Sequence, residues 1–157
     1  MENLKYTFDQ VNEWIRTADQ KAMILGSFNI AGFIYQLVNI EKIICSGLYI
    51  TIVFSLSIVA TLVALGSWLL ILYPRLNNKL KISKIYFSHI ANAYENNKHT
   101  GVEELQKVTE EEYKTDLASQ ILENSIIAKK KYKYIQVFIF AFTAQIITLL
   151  LVIIGTI

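Results

Sequence analysis

The sequence predicts an all-α membrane protein, in which three transmembrane helices accompany a helical cytosolic segment lying between the second and third. Three observations carry this reading. The 157 residues are 54% hydrophobic, too apolar for a soluble domain of this size. Most of the apolar residues fall in three blocks, two of them free of charge over more than the about 20 residues that a helix needs to cross the hydrocarbon core. Of the 15 Lys and Arg residues, 11 lie between Arg75 and Lys133, so the stretch between the second and third blocks carries the positive charge that stays on the cytosolic side.

Taken in order, the N-terminal segment places Leu4, Phe8, Val11, Ile15, Ala18, Ala22 and Leu25 at alternating spacings of four and three, along one side of a helix. No Pro or Gly intervenes before Gly26, so one helix is expected to start near Leu4, expose Asp9, Glu13 and Arg16, and run on into the first apolar block. Its polar face is not basic, which favours packing on another cytosolic helix over lying on the membrane surface. Acidic residues Glu2, Asp9, Glu13 and Asp19 occupy the stretch where a signal peptide would carry basic and then apolar residues, so the N-terminus is expected to be that of the mature protein.

The first block, residues 22–40, has the length to span, but Asn29, Gln36 and Asn39 interrupt it. Each large aliphatic near the centre favours insertion by about 0.3–0.6 kcal/mol, so three amides offset much of that gain and packing against other helices must supply the rest. The second block runs without charge from Ile43 to Pro74 and the third from Tyr134 to Ile157. Pro74, the only proline, marks the end or a kink of the second membrane helix.

Beyond it, Leu76, Leu80, Ile82, Ile85, Phe87 and Ile90 give a mixed periodic pattern for a new helix, and Asn96 to Gly101 reads as a turn. Thr100 with Glu103, and Thr109 with Glu112, match the spacing of a reciprocal capping box, which implies two further helix starts. The second of these helices carries Tyr113, Leu117, Ile121, Asn124 and Ala128 on one face and meets no breaker before the third block, so it is expected to continue into the membrane. The organisation expected is a cytosolic amphipathic helix over 1–21, transmembrane helices over 22–40, 46–73 and 134–157, and a cytosolic helical segment over 74–133. Arg75, Lys79, Lys81 and Lys84 border that segment on one side and Lys129, Lys130, Lys131 and Lys133 on the other, which puts it and the N-terminus in the cytosol if the first block spans. Orientation and snorkelling account for the four lysines of the second border, with ligand contact as the alternative.

Several chemistries have no support in the residues. Cys45 is the only cysteine, the six glycines are scattered rather than forming a phosphate loop, and His89 and His99 lie at no metal-ligand spacing. No Ser, His and acid constellation can be assembled, and Glu110, Glu111 and Glu112 are read as favourable charges at a helix N-terminus rather than catalytic carboxylates. A net charge of +2 does not argue for nucleic acid. The chain is therefore expected to be neither an enzyme nor a metalloprotein, and to hold no cofactor.

Residues Asn12 to Ala22, reading NEWIRTADQKA and leading straight into a membrane helix, resemble the entry signature of the transmembrane effectors of Pycsar anti-phage systems. Ile85 to Ala91 look like that family's aromatic segment after the second membrane helix, and Asp116 to Ile121 with Asn124, Ile127, Lys131 and Tyr132 look like its closing segment. The resemblance covers nearly the whole chain. It implies that a partner cyclase makes cyclic UMP or cyclic CMP during infection, and that this chain, in the bacterial inner membrane, responds by impairing that membrane and aborting the infection. The 74–133 segment then becomes the sensor.

A cyclic mononucleotide asks for a cation or a helix N-terminus at its phosphate, an aromatic face for its base, and amides at the base edge. The matching segments offer Arg16, Lys21 and Lys131 for the phosphate, Tyr86, Phe87 and Tyr113 for stacking, and Asn12, Gln120 and Asn124 for the pyrimidine edge. Each also has a plain structural role open to it: Asp19 and Lys21 can pair with charges on neighbouring helices, and Tyr86 and Phe87 can fill a helical core. Ser55, Ser57, Thr61, Gly66, Ser67, Thr143, Gln145 and Thr148 offer small or polar surfaces for helix association, within one chain or in a homo-oligomer. The membrane-disrupting effector stands against two alternatives, a constitutive holin-like membrane toxin and a non-enzymatic membrane adaptor.

Overall fold

The computed structural model describes residues 1–73, 83, 85 and 87–156, apart from the side chains of Phe87 and Ser88. These residues form six helices and no strand: α1 (Glu2–Val38), α2 (Ile40–Ile44), α3 (Leu48–Leu72), α4 (Phe87–Tyr94), α5 (Lys98–Gln106) and α6 (Glu110–Gly155). The protein is thus all-α as expected, and α1, α3 and α6 are each long and apolar enough to cross a membrane.

Two compact units divide the chain. The first comprises residues 1–15 and 74–128, the second residues 16–73 and 129–157. Both α1 and α6 contribute residues to each unit, and neither is interrupted where the composition changes from polar to apolar.

Local chemistry sets the helix ends. Gly47 precedes α3 with a φ of 121°, a conformation that side chains other than glycine rarely adopt. At the other end α3 stops at Leu72, and Tyr73 takes an extended backbone with ψ of 120°, as suits a residue before proline. Pro74 itself, and the periodic pattern read over Leu76 to Ile82, lie outside the described residues. The Thr109–Glu112 box is formed in both directions: the Thr109 amide donates to Glu112 Oε2 at 3.1 Å, and the Glu112 amide donates to Thr109 Oγ1 at 3.2 Å.

The Thr100–Glu103 box is not formed. The turn sits earlier, and α5 begins at Lys98 with Asn97 as its cap, whose Oδ1 accepts from the Thr100 amide at 3.4 Å. Gly101 is therefore a helical residue, not the end of a turn. It is buried where a Cβ would stand 2.7 Å from Tyr94 Cγ, so the missing side chain lets α5 approach the Tyr94 ring. Asparagine won the cap because its short amide reaches the third amide of a helix that starts at Lys98, two residues before Thr100.

The second unit packs α1, α3 and α6 through small residues. Ala18 and Ala22 of α1, Ala64 and Ile71 of α3, and Ile135 and Phe138 of α6 form one buried cluster, with Leu25, Trp68 and Phe142 packed on it. Phe138 and Phe142 stack at 5.7 Å between ring centroids. A second apolar cluster gathers Ile43, Val53, Phe54 and Val152. Along each long helix the fully buried side chains between these clusters are polar: Asn29 and Gln36 on α1, Ser57 and Thr61 on α3, Gln145 on α6. Lipid-side positions such as Phe28, Ile34, Val59, Leu62, Phe140 and Ile147 are apolar and exposed, as a chain bathed in hydrocarbon requires.

Candidate functional site

In the first unit, α6 carries Tyr113, Asp116, Gln120 and Asn124 at helical spacings of three and four, one stripe that flanks the buried Leu117. Gln120 is buried, and Tyr113 and Asn124 are half-buried. Asn124 Nδ2 donates to Asn12 Oδ1 of α1 at 2.8 Å, so two of the three residues expected at a pyrimidine edge are in direct contact. An amide pair of this kind fixes α1 against α6. Each partner still offers hydrogen-bonding capacity, since an amide has two donors and two acceptor positions.

At the lower end of the same stripe, Asp116 Oδ2 accepts from the Ser83 hydroxyl at 3.0 Å, while the Ser83 amide donates to His89 Nδ1 at 3.1 Å. Ser83 is buried, and its Oγ also accepts from the Ile85 amide at 3.2 Å. Ser83 is thereby tied to both α4 and α6. His89 Nδ1 accepts a backbone amide here, so that ring nitrogen is engaged in holding Ser83. The sequence showed only that His89 lies at no metal-ligand spacing; its pairing depends on a residue six positions away, which no helical spacing announces. Tyr86 lies outside the described residues, and Phe87 opens α4.

The cationic candidates belong to the second unit. Arg16 and Lys21 are exposed on α1, and five residues of helix turn them about 140° apart, so they do not share a face. Lys131 of α6 is mostly covered, and its Nζ is bonded to Asp19 Oδ1 of α1. Asp19 thus pairs across helices as its position allowed, with Lys131 as its partner. An anion that takes Lys131 must share its ammonium with this carboxylate or displace it.

Two groups outside the candidate set are shifted. Lys114, bonded at 2.8 Å, holds the Glu110 carboxyl below its ordinary range, and the hydrogen bond from Tyr94 to Glu104 at 2.6 Å pushes the Tyr94 phenol up. Both are helix-surface contacts. An open groove of about 540 Å³ between α3 and α6, lined by Leu56, Val59, Ala60, Val63, Val137, Phe140, Ala141, Ala144 and Thr148, has no charge or amide to hold a phosphate. Among the described residues no group of three or more His, Cys, Asp or Glu side chains is placed to bind a metal.

The most distinctive polar arrangement is one that the sequence reading treated as a defect of the first block. Asn29 Nδ2 donates to Gln145 Oε1 at 2.6 Å, Gln36 Nε2 donates to the Ser57 hydroxyl at 2.7 Å, and the Thr61 hydroxyl contacts Gln36 Oε1 at 3.0 Å. A signal for it was present: the rhythm of four and three from Leu4 to Leu25 continues onto Asn29, Gly32 and Gln36. The amides therefore extend the buried stripe instead of facing lipid.

No curated protein and no solved structure matches the chain. A family model does. The PycTM model, described as the Pycsar effector protein domain, matches residues 3–157, nearly the whole chain and all three membrane-length helices. It is an effector family and not a known family of enzymes, and a Pycsar effector works beside a partner cyclase. With the match running through the Asn12–Ala22 entry segment, the Asp116–Tyr132 closing segment and every apolar helix, the chain belongs to the Pycsar effector family and is a multi-pass membrane effector of anti-phage defence.

Proposed function

We propose that this chain is a ligand-gated disruptor of the bacterial inner membrane, silent until a cyclic pyrimidine mononucleotide, cyclic UMP or cyclic CMP, binds its cytosolic helices. The observation that carries the reading is the pair of uninterrupted helices. Both α1 and α6 run from a polar stretch that holds the amides and carboxylates suited to a small polar ligand into an apolar stretch long enough to span. A change of tilt or rotation at one end of such a helix is felt at the other. Positive charge at both borders of the 74–133 segment keeps it and the N-terminus in the cytosol, where the nucleotide is made.

The base is recognised by Asn12, Gln120 and Asn124 at its edge and by Tyr86, Phe87 and Tyr113 on its face, and the phosphate by Arg16, Lys21 or Lys131. Swinging a population from 1:99 to 99:1 needs the ligand to favour the active state by about 5.5 kcal/mol. A homo-oligomer with one ligand per chain divides that demand, which supports assembly as part of activation. The membrane helices hold no Asp, Glu, Lys or Arg within 22–40, 46–73 or 134–157, which favours a non-selective lesion over a charge-lined ion pathway.

Dye uptake by cells expressing the chain, with and without supplied cyclic UMP or cyclic CMP, tests the reading. Uptake only with nucleotide is the expected result. Uptake without it supports the holin-like toxin, and no uptake under either condition supports the adaptor. Calorimetric titration of the wild type, Arg16→Ala and Tyr86→Ala with both nucleotides tests the residue assignment, and affinity unchanged in both variants removes them from it.

A further inference from the structure

The polar seam of the second unit holds hydrogen-bonding capacity that the described structure leaves unused. Asn29 and Gln145 are 0% and 1% exposed, yet they exchange a single hydrogen bond, and Asn29 Oδ1 and Gln145 Nε2 have no partner. The Trp68 indole N–H, packed where a Cβ on Gly26 would stand, is a third buried donor without one. Gln145 Nε2 lies 2.7 Å from where a Gly32 Cβ would be, so glycine there makes room for the amide. One turn further on, Gln36 binds the hydroxyls of Ser57 and Thr61.

Pure helix glue would be expected to satisfy its amides, because no water reaches the middle of a bilayer to do so. Polar groups elsewhere on these helices behave that way: the Ser27 and Ser55 hydroxyls donate to the carbonyls of Met23 and Thr51, four residues back on their own helices. The seam instead draws on all three long helices, lies between two apolar clusters, and runs over residues 26–36 of α1, about 15 Å or half of the hydrocarbon thickness. Parting the helices along it exposes amides and hydroxyls to one another's former space, and water satisfies them better than lipid.

We infer that Asn29, Gln36, Ser57, Thr61 and Gln145 line the path that water and small polar solutes take when the membrane unit is active. This rests on the gated-disruptor reading and deepens it by assigning the lesion's lining. The lining is uncharged, so the path passes small solutes without selecting their sign.

The test uses the full chain in cells and in liposomes, with cyclic UMP and cyclic CMP as the probes. Asn29→Leu with Gln145→Met removes both polar partners while keeping their shape. It should bind nucleotide as the wild type does and melt no lower in detergent, yet lose at least tenfold of the nucleotide-driven dye uptake. Wild-type uptake in that variant overturns the inference. A gentler arm places Thr61→Cys in a Cys45→Ser background and follows a charged, water-soluble thiol reagent. Modification should quicken at least tenfold with nucleotide, and a rate that nucleotide leaves unchanged while uptake responds overturns it independently of how the double variant folds. If wild-type uptake ignores nucleotide, the gating has failed and not the lining, which the same variants still decide through their constitutive uptake. Absence of uptake under all conditions overturns both.

Discussion

Replacing Asp19 by Asn isolates the ion pair that ties α1 to α6 in the second unit. The Lys131 side chain keeps 13% of its accessible surface and that of Asp19 keeps 34%, so the two partners are not equally able to recover water when left alone. Removing one member of a fully buried pair costs about 3–5 kcal/mol, and an exposed pair is worth about 0–1 kcal/mol. The burial here sets Asp19→Asn, which strands the covered ammonium, at about 2 kcal/mol. Lys131→Met, which leaves a carboxylate one third exposed and keeps an apolar stem, is set below about 1 kcal/mol. Unfolding of the purified chain in mixed micelles by a denaturing detergent, followed by circular dichroism, gives both values, and the double variant completes the cycle with a coupling of about 1 kcal/mol. Equal losses in the two single variants, or losses that simply add, refute the argument from unequal burial. Titration of Asp19→Asn with cyclic UMP and cyclic CMP then asks what Lys131 is for: its release should tighten binding if it meets the phosphate, and unchanged affinity takes it out of the phosphate set.

Gly26→Val should lower stability by about 1–3 kcal/mol in the same assay, because a Cβ there would stand 2.2 Å from Trp68 Nε1, and Trp68→Leu should recover part of that loss. Asn97→Ala and Thr109→Ala should each cost about 1 kcal/mol of helix stability by loss of a cap, while Thr100→Ala, which removes no capping side chain, should be close to neutral. Glu110, held low by Lys114, should titrate below the ordinary carboxylate range by carboxyl-carbon NMR and return to it in Lys114→Met. Since the folded-state value is the depressed one, whatever this pair adds to stability is present above the unfolded-state carboxylate pKa and disappears as pH falls through the lowered one.

How legible the fold was depended on whether a feature repeats along one helix. The stripe from Leu4 to Leu25 and the breaker-free run from Tyr113 onward announced α1 and α6, because a helix needs only local spacing and the absence of Pro or Gly to be read. The start of α5 was misread for a related reason. Two threonine-to-glutamate spacings look alike in sequence, and only Thr109 has its glutamate turned back to its own amide, whereas Asn97 reaches the helix before Thr100 can. A pairing between distant segments such as Ser83 with Asp116 is set by how those segments meet and leaves no periodic trace. Asn29 and Gln36 were visible as residues out of place in an apolar block. What hid their role was counting hydrophobicity over the block instead of following the four-and-three rhythm through it.

If the proposed gating is right, the seam also bears on how a ligand as small as a cyclic mononucleotide moves the membrane helices. A buried polar group left unsatisfied costs about 1–3 kcal/mol in protein interiors, and interhelical hydrogen bonds in membranes are worth only about 0.6 kcal/mol on average, so the lower end applies. The two seam atoms, Asn29 Oδ1 and Gln145 Nε2, then raise the closed arrangement by roughly 2 kcal/mol relative to one in which they are solvated. That cost is already part of the resting balance between the closed and open arrangements, which it moves toward the open one. On the gated reading proposed above, the apolar clusters on either side of the seam hold the helices together and keep the resting chain harmless. The unsatisfied amides between them narrow the gap that ligand binding has to close. Filling those valences without opening the seam should therefore make the gate harder to trip, at unchanged affinity of the closed chain for nucleotide.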